Sequence, residues 1–493
     1  MNLKLSKIIL TSLVVAGLCS CASLHCDGAT TSISVDAKNP GAEIPADFSG
    51  LSFEVVQLLP TNGVHYFRAD NVALINLFHT LGIKNLRIGG NTSDRNATKL
   101  PDLADIDSLF AFAKAADVKV IYCLRLQGGD AQADVQLAKY IMDHYAAQMD
   151  CFSIGQEPSA YPTAKVDTRA QDERMGAGNE NFKYVGYRDE WKKFADAIIA
   201  AVPNVKFCGP GVHNNGQWAI DFMHDFGKTN HVSLITEHLY PGGPGGKVPS
   251  PQIGIDRMLA GMDATNGFPK ACEKLYASFA PVAISNGLPY RLEEVNSYFN
   301  GGATNVSNTF ASALWGLSFM YWWAEHGAAG VNFHTGDFVA AGARLLPSKY
   351  TAYVTATNGY YVRPLGYGIK AFDIGSRGKI LPAKISGSKN SNLEAHAVLG
   401  DDKNIYVTLI NKNFGTNAFA EKIALNIDGK KFQSAEVMYL VAPENKITAT
   451  EGETLGGSEV SNDAKWNGSW QAVSGDSISL APASAVIVKL KAD

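Results

Sequence analysis

Two stretches of this 493-residue chain carry acids at the ends of apolar runs. "CFSIGQEPSAY" (151–161) sets Glu157 between Gln156 and Pro158, and "RLEEVNS" (291–297) places Glu293 and Glu294 side by side. Taken singly, each is most simply a solvated loop acid. A pair converging on one bound bond has a definite chemistry: one carboxyl protonates a leaving oxygen while the other attacks carbon. Retaining glycoside hydrolysis needs that pair about 5–5.5 Å apart. Other residues suit the same chemistry. In "EHLY", His238 and Tyr240 are two residues apart and so share one face of an extended segment. A tyrosine hydroxyl beside a nucleophilic carboxylate favours its ionised form, whereas burial favours the protonated form of an acid. Arg87 in "LRIGGN" brings a permanent cation, suited either to a structural ion pair or to the reaction itself, and Glu54 ends "FSGLSFE".

These side chains need strands to aim them. Between about residues 46 and 335 eight β-type runs alternate with helical pattern: 48–54, 84–90, 118–126, 150–157, 204–211, 231–240, 288–296 and 328–334. Leu74, Leu77, Phe78 and Leu81 form one stripe at helical spacing, and Trp191, Phe194, Ala195, Ile198 and Ile199 another. Eight strand–helix units in that length predict a (β/α)8 TIM barrel over 45–350. An open doubly wound sheet is the competing arrangement, without a G-x-G-x-x-G in the first turn to support it. Catalytic groups of a barrel sit at the C-terminal strand ends. Strand four would end on Glu157 and strand seven on Glu293–Glu294, across the mouth from each other, with Glu293 expected on the opposite strand face from Glu294. The polar stretch 160–182 reads as a long loop on that mouth. After about residue 355, "NIYVTLINKN", "KIALNIDG", "SAEVMYLVA" and "SAVIVKLKAD" alternate apolar and polar residues between turn-rich segments. This predicts a C-terminal antiparallel β-sandwich over 355–493, joined by 28–44 through "TSISVDA". Trp466 and Trp470 read as packing for the seam, and Trp315, Trp322 and Trp323 as core.

Composition narrows the partners. The chain is 46% apolar and carries a net charge of −4, without the basic footprint of a nucleic-acid binder. "MNLKLSKIILTSLVVAGLCSC" has Lys4 and Lys7, an apolar stretch from Ile8 to Leu18 and small residues thereafter, as in a secretory signal over 1–22. "LCSC" resembles a bacterial lipobox with Cys21 as the lipidated residue; ordinary cleavage after Ala22 is the alternative. Localisation is therefore expected to be export to the bacterial cell envelope, either periplasm or outer membrane, with membrane attachment only through a lipidated N-terminus. Removing the signal takes two lysines and lowers the charge from −4 to −6. Cys123, Cys151 and Cys208 lie in apolar runs and read as buried thiols. The seven cysteines show no metal-ligand spacing, and the chemistry described needs no metal or organic cofactor.

The stretches "GLSFE", "LRIGGNTSD", "FSIGQEP", "EHLYP", "EEVNSYFNGG" with "VSNTFASALWGLSFM", and "GAAGVNFH" resemble the β-glucuronidase/heparanase family of glycoside hydrolases, family 79. The resemblance spans nearly the whole mature chain and is most specific from Glu294 to Trp315. It implies a barrel with a β-sandwich and retaining hydrolysis of a carbohydrate substrate. Glu157 then resembles the acid/base, Glu294 the nucleophile and Tyr240 its hydrogen-bond donor. Glu54, Asn91, Gln156 and His238 correspond to the sugar-binding shell. Asn300, Gly301 and Gly302 correspond to the loop that holds a sugar carboxylate, with Phe299 beside it; Arg87 is structural support. The chain departs from the family's pattern at Gln156, where Asn is usual, at Phe299, where a carboxylate-binding Tyr is usual, and at Ala303, where a Lys can occur. Phe338 stands, on a loose match, for a second Tyr. Each lost charge-assisted bond removes roughly 1.5–3 kcal/mol of preference for a uronate. The expected activity is thus release of a β-linked glucuronic acid or closely related sugar. A neutral sugar on the same machinery and a non-catalytic carbohydrate-binding lipoprotein are the alternatives.

Overall fold

The computed structural model describes residues 31–94, 98–161, 180–261, 264–336, 347–388, 392–431, 434–475 and 477–491. Cys21 and the rest of the signal region, most of the stretch 160–182, and Phe338 lie outside the described residues.

After β1 (Thr31–Val35), eight strands close into a barrel, each paired in parallel with the next: β2 (Ser49–Glu54), β3 (Asn85–Gly89), β4 (Lys119–Leu124), β5 (Met149–Ile154), β6 (Phe207–His213), β7 (Val232–Leu239), β8 (Tyr290–Val295) and β9 (Gly330–His334). The register Gly50↔Asn332 between β2 and β9 seals the cylinder and rules out the open sheet. Every residue of β2, β3, β8 and β9 is buried, as parallel strands covered by helices require. The covering helices carry the predicted stripes. Val72–Leu81 buries Leu74, Leu77, Phe78 and Leu81, starts under an Asn71 side-chain cap and stops at Gly82, whose φ is +73°. Phe310–Glu325 is apolar on nearly all sides, with Trp315 and Trp323 buried and Trp322 partly so. It lies between the barrel and helix Pro364–Gly375.

The floor of the barrel, at the N-terminal strand ends, is polar and self-satisfied. Asn332 donates to Asn85 at 2.8 Å, Arg291 donates to Asn332 at 3.1 Å, and Arg291 pairs with Asp47 at 2.7 Å. Such bonds belong to the stability face of the barrel, leaving the opposite end for chemistry.

Two further sheets stack around a separate apolar core of Ile33, Leu393, Val407, Leu425, Val437, Val486 and neighbours. One contains β1 between Ala383–Ser386 and Glu421–Ile427; the other runs through Leu393–Gly400, Asn404–Asn411, Ser484–Lys491 and Ser434–Val441. Pairing is antiparallel except that β1 lies parallel to Glu421–Ile427, because β1 comes from the other end of the chain and is not hairpin-linked to it. Trp466 packs in the seam, where Lys370 sits 4.0 Å from its ring centre.

Candidate active site

At the C-terminal rim of the barrel, side chains from β3 and from the segments just after β5 and β7 converge on Glu294 of β8. Arg87 of β3 donates Nη1–H to Glu294 Oε2 at 2.6 Å, the Gln156 amide donates to the same oxygen at 3.0 Å, and Tyr240 Oη–H donates to Oε1 at 2.9 Å. Glu294 is 5% exposed, and burial alone would favour its protonated form. The cations at His334, His238 and Arg87, with the Tyr240 hydroxyl, outweigh that and hold it well below the usual carboxylate range. It is an ionised, oriented carboxylate.

Glu157 reaches the same point from another side. β5 ends at Ile154, so Glu157 follows the strand by three residues instead of closing it. Its backbone is left-handed, with φ 44° and ψ 53°, and its N–H donates to Gly211 O at 3.1 Å. A non-glycine residue in that region stores strain, as active-site residues commonly do. What holds it is Asp94. The buried Asp94 carboxylate accepts from the backbone N–H groups of Leu126 (2.8 Å), Gln127 (3.1 Å) and Gln156 (2.6 Å), and from the Tyr161 hydroxyl. The loops after β3, β4 and β5 are thereby tied to one carboxyl group, whose pKa burial raises despite those hydrogen bonds. Glu157 keeps a side-chain exposure of 20%, facing the mouth.

His238 joins the two acids. Its Nδ1 is 3.0 Å from Glu157 Oε1 and 4.0 Å from Glu294 Oε2, and one oxygen of each carboxylate and the ring nitrogen all lie within 4.8 Å of one another. Burial works against a charge on the ring, but Glu294, Glu157 and Glu293 push its pKa up to about 10. An imidazolium has no lone pair for a metal, so the cluster Glu157–His238–Glu294 is a polar network around a protonated ring and not a ready cation site. His238, expected among the sugar-binding residues, is fully buried and faces the two acids.

Gln156, expected in the same shell, is buried as well. Its amide accepts from Arg87 and donates to Glu294. Glu293 is misplaced by a simple alternation rule. The register of β7 on β8 shifts between Glu237 and His238, a bulge that absorbs one residue, so Glu293 and Glu294 both turn inward. Glu293 Oε1 lies 3.5 Å from His238 Nε2, and the residue is fully buried. Arg87 is itself the ion-pair partner of Glu294, so the structural and catalytic readings of this residue coincide.

The remaining expected residues are placed as follows. Glu54 ends β2, with Oε2 accepting from Thr92 N–H (2.7 Å) and Thr92 Oγ1 (2.6 Å), and Oε1 3.6 Å from His334 Nε2. Gly90, at φ +75°, has no side chain because a Cβ there would lie 2.4 Å from the Glu54 carboxyl carbon. Asn91 is exposed on the same turn. The half-buried Phe299 ring packs edge-on against His213 and Tyr240, at 5.7 and 6.2 Å between ring centres. Asn300, Gly301 and Gly302 follow with φ of 60°, 81° and 86°, and Gly301 O accepts from Lys349 N–H. Sequence reasoning missed Asp94, Thr92, His213, His334 and Tyr350. Asp94 and His334 stand inside motifs already noticed, and strand-end position alone was a usable signal for His334. Tyr350, 6.2 Å from both Tyr240 and His334 between ring centres, gives no local signal.

No protein-family model matches the chain. A curated β-glucuronidase of Aspergillus niger is 25% identical over 348 residues, 63% of this chain; the chain spans 61% of that relative's length. Among solved structures, a 4-O-α-L-rhamnosyl-β-D-glucuronidase from Fusarium oxysporum has a TM-score of 0.71 at 17% identity, covering 93% of this chain and 100% of that one. An α-L-arabinofuranosidase from Thermotoga maritima has a TM-score of 0.61 at 13% identity, covering 94% and 100%. The resemblance to the β-glucuronidase/heparanase family, and the barrel-plus-sandwich fold, are borne out by these likenesses.

Proposed function

We propose that this relative of the β-glucuronidases is an exported, retaining exo-β-glycosidase that releases a β-linked glucuronic acid or closely related sugar. The observation that carries the reading is the convergence of Glu157 and Glu294, whose nearest carboxylate oxygens lie within 4.8 Å. That spacing suits direct attack; an inverting pair needs about 6.5–9.5 Å to admit a water between its carboxyl groups.

The roles follow from the surroundings. Glu294, kept ionised by three donors, attacks the anomeric carbon from one face of the sugar. Glu157, still reached by solvent, protonates the glycosidic oxygen and later takes a proton from the incoming water. The sugar leaves with its β-configuration. Arg87, Gln156 and Tyr240 hold the nucleophile's two oxygens so that little orientational entropy is lost at the moment of attack. Glu54, locked by Thr92, is placed to accept from sugar hydroxyls at the rim.

A neutral glycone is favoured by one specific feature: the phenyl ring of Phe299, which offers no hydroxyl to a sugar carboxylate, stands against Tyr240 and His213. Export rests on the charged and apolar leader, with Cys21 as the lipidation residue. A panel of p-nitrophenyl β-glycosides, comparing glucuronide, glucoside, galactoside and xyloside, tests the activity. Proton NMR of the first-formed sugar tests the stereochemistry. Turnover on one member with the β-anomer appearing first is expected. Binding without hydrolysis of any β-glycoside would leave a carbohydrate-binding surface protein, and an α-anomer first would refute the retaining assignment.

A further inference from the structure

Glu293 has no part in the double displacement, yet it is buried completely inside the barrel. Space for it is made by Gly211 of β6, where a Cβ would lie 2.7 Å from Glu293 Oε1. Its surroundings can be enumerated. His238 Nε2 of β7 is 3.5 Å away and Cys208 Sγ of β6 is 3.8 Å away; Thr236 of β7 shares the space under Gly211, and the Arg87 cation of β3 acts on it at longer range. His238 in turn faces Glu157 and Glu294 through Nδ1 and Glu293 through Nε2, and it feels the charges of His213 and Glu237.

We propose that Glu293 is a positioning residue for the acid/base: a buried counter-charge that keeps His238 doubly protonated, so that its Nδ1–H stays fixed on Glu157 Oε1 and Oε2 is left to carry the catalytic proton. The inference rests on Glu157 being the proton donor. Charge balance is the reason for it. Arg87 pairs with Glu294, and Glu293 lies on the side of His238 opposite Glu157, so each ring nitrogen faces a carboxyl group. With Glu293 on the opposite nitrogen the imidazolium is already answered. His238 can then orient Glu157 through Nδ1. In the first half-reaction the Glu157 proton goes to the leaving oxygen, and the carboxylate left behind keeps its hydrogen bond from Nδ1–H without taking that proton. In the second it takes a proton back from water, so the pair ends as it began. Burial alone would favour a neutral Glu293, but His238 and Arg87 hold it below the usual carboxylate range.

The coupled pair Glu157–His238 binds protons less tightly when a nearby negative charge is removed, whichever site the proton occupies. Glu293→Gln is therefore expected to move the basic limb of kcat/KM to lower pH, by about one unit. Above that limb, substrates with poor leaving groups should suffer by about tenfold while activated aryl glycosides, which need little protonation, suffer less. A profile superimposable on that of the parent would overturn the proposal. A measurement independent of catalysis, and of the variant's folding, is made on the parent enriched in ¹⁵N-histidine. His238 should show both ring nitrogens protonated at pH 8, well above the ordinary histidine pKa of about 6.5. A neutral ring at that pH would also overturn it. If the imidazolium is present while the parent hydrolyses no β-glycoside, the electrostatic device stands and it is the glycosidase reading that fails.

Discussion

Tyr240→Phe deletes the hydroxyl that donates to Glu294 Oε1 at 2.9 Å and leaves the ring packed against Phe299, His213 and Tyr350. A hydrogen bond to an ionised group contributes roughly 1.5–3 kcal/mol. One pKa unit corresponds to about 1.36 kcal/mol, so the Glu294 pKa should rise by about one to two units. Arg87 at 2.6 Å and Gln156 at 3.0 Å still hold Oε2, and the carboxylate stays ionised at neutral pH. The plateau of kcat/KM should therefore fall by less than about tenfold, while the acidic limb moves to higher pH by about one to two units. The sign also fixes the effect on stability. Glu294 is depressed below its unfolded value, so its contribution is present above about pH 4.3 and lost as pH falls through the folded pKa. Urea unfolding at pH 7 should show the variant weaker by no more than about 1.5–3 kcal/mol, a gap that closes in acid. The assays are a pH–rate profile on the best aryl β-glycoside and urea melts at several pH values. An unmoved acidic limb with a plateau down by more than about a hundredfold (about 2.7 kcal/mol) would mean that Tyr240 acts on the sugar and not on the carboxylate.

Other outcomes follow from the same structure. Glu157→Ala should lose about 10²–10⁴ of turnover on unactivated glycosides, with azide restoring rate and yielding a β-glycosyl azide. Glu294→Ala with azide should instead give the inverted adduct, so a β-azide from that variant would exchange the two roles. Asp94→Asn turns an amide towards the Gln156 N–H and Tyr161 hydroxyl that now donate to it; loss of about 1–3 kcal/mol of stability and a fall in kcat larger than in substrate affinity are expected, and full activity would show that the three loops do not need their common carboxyl group. In the seam, His396 lies 2.7 Å from Glu325 and 3.6 Å from Glu394, while Lys412 pairs with Glu394 at 2.5 Å. Burial lowers the His396 pKa, but Glu325 and Glu394 push it up to about 9. Its stabilising contribution is full below about pH 6.5 and is lost as pH rises through about 9. His396→Gln should remove that part of the alkaline fall in unfolding free energy, and an unchanged pH dependence would count against the ion pair.

Much of this protein could be read in order along the chain. Strand–helix alternation specifies parallel pairing because a parallel strand must be followed by a crossover, closure into a barrel being decided by the β2–β9 pairing, and period-two alternation after residue 355 specifies sheets with one wet face. Acids at strand ends then become candidates through position alone, which is how Glu54, Glu157 and Glu294 were found. What lay beyond linear reading depended on distances between segments far apart in sequence. The bulge opposite His238 reversed the facing of Glu293, and local pattern cannot signal a register shift that is set by the neighbouring strand. Gln156 bridges Arg87 and Glu294, two residues far from it in the chain. His238, a rim residue by alternation, became a buried bridge only because three carboxylates from two other loops and strands close around it. Asp94 looked like part of a turn, and its function as the tie between three loops exists only once those loops are adjacent. The chain thus encodes by itself its periodicities and the chemical kinds of its side chains. Charge state and partnership come from the closed barrel, because they depend on burial and on a few ångströms between groups the backbone holds far apart.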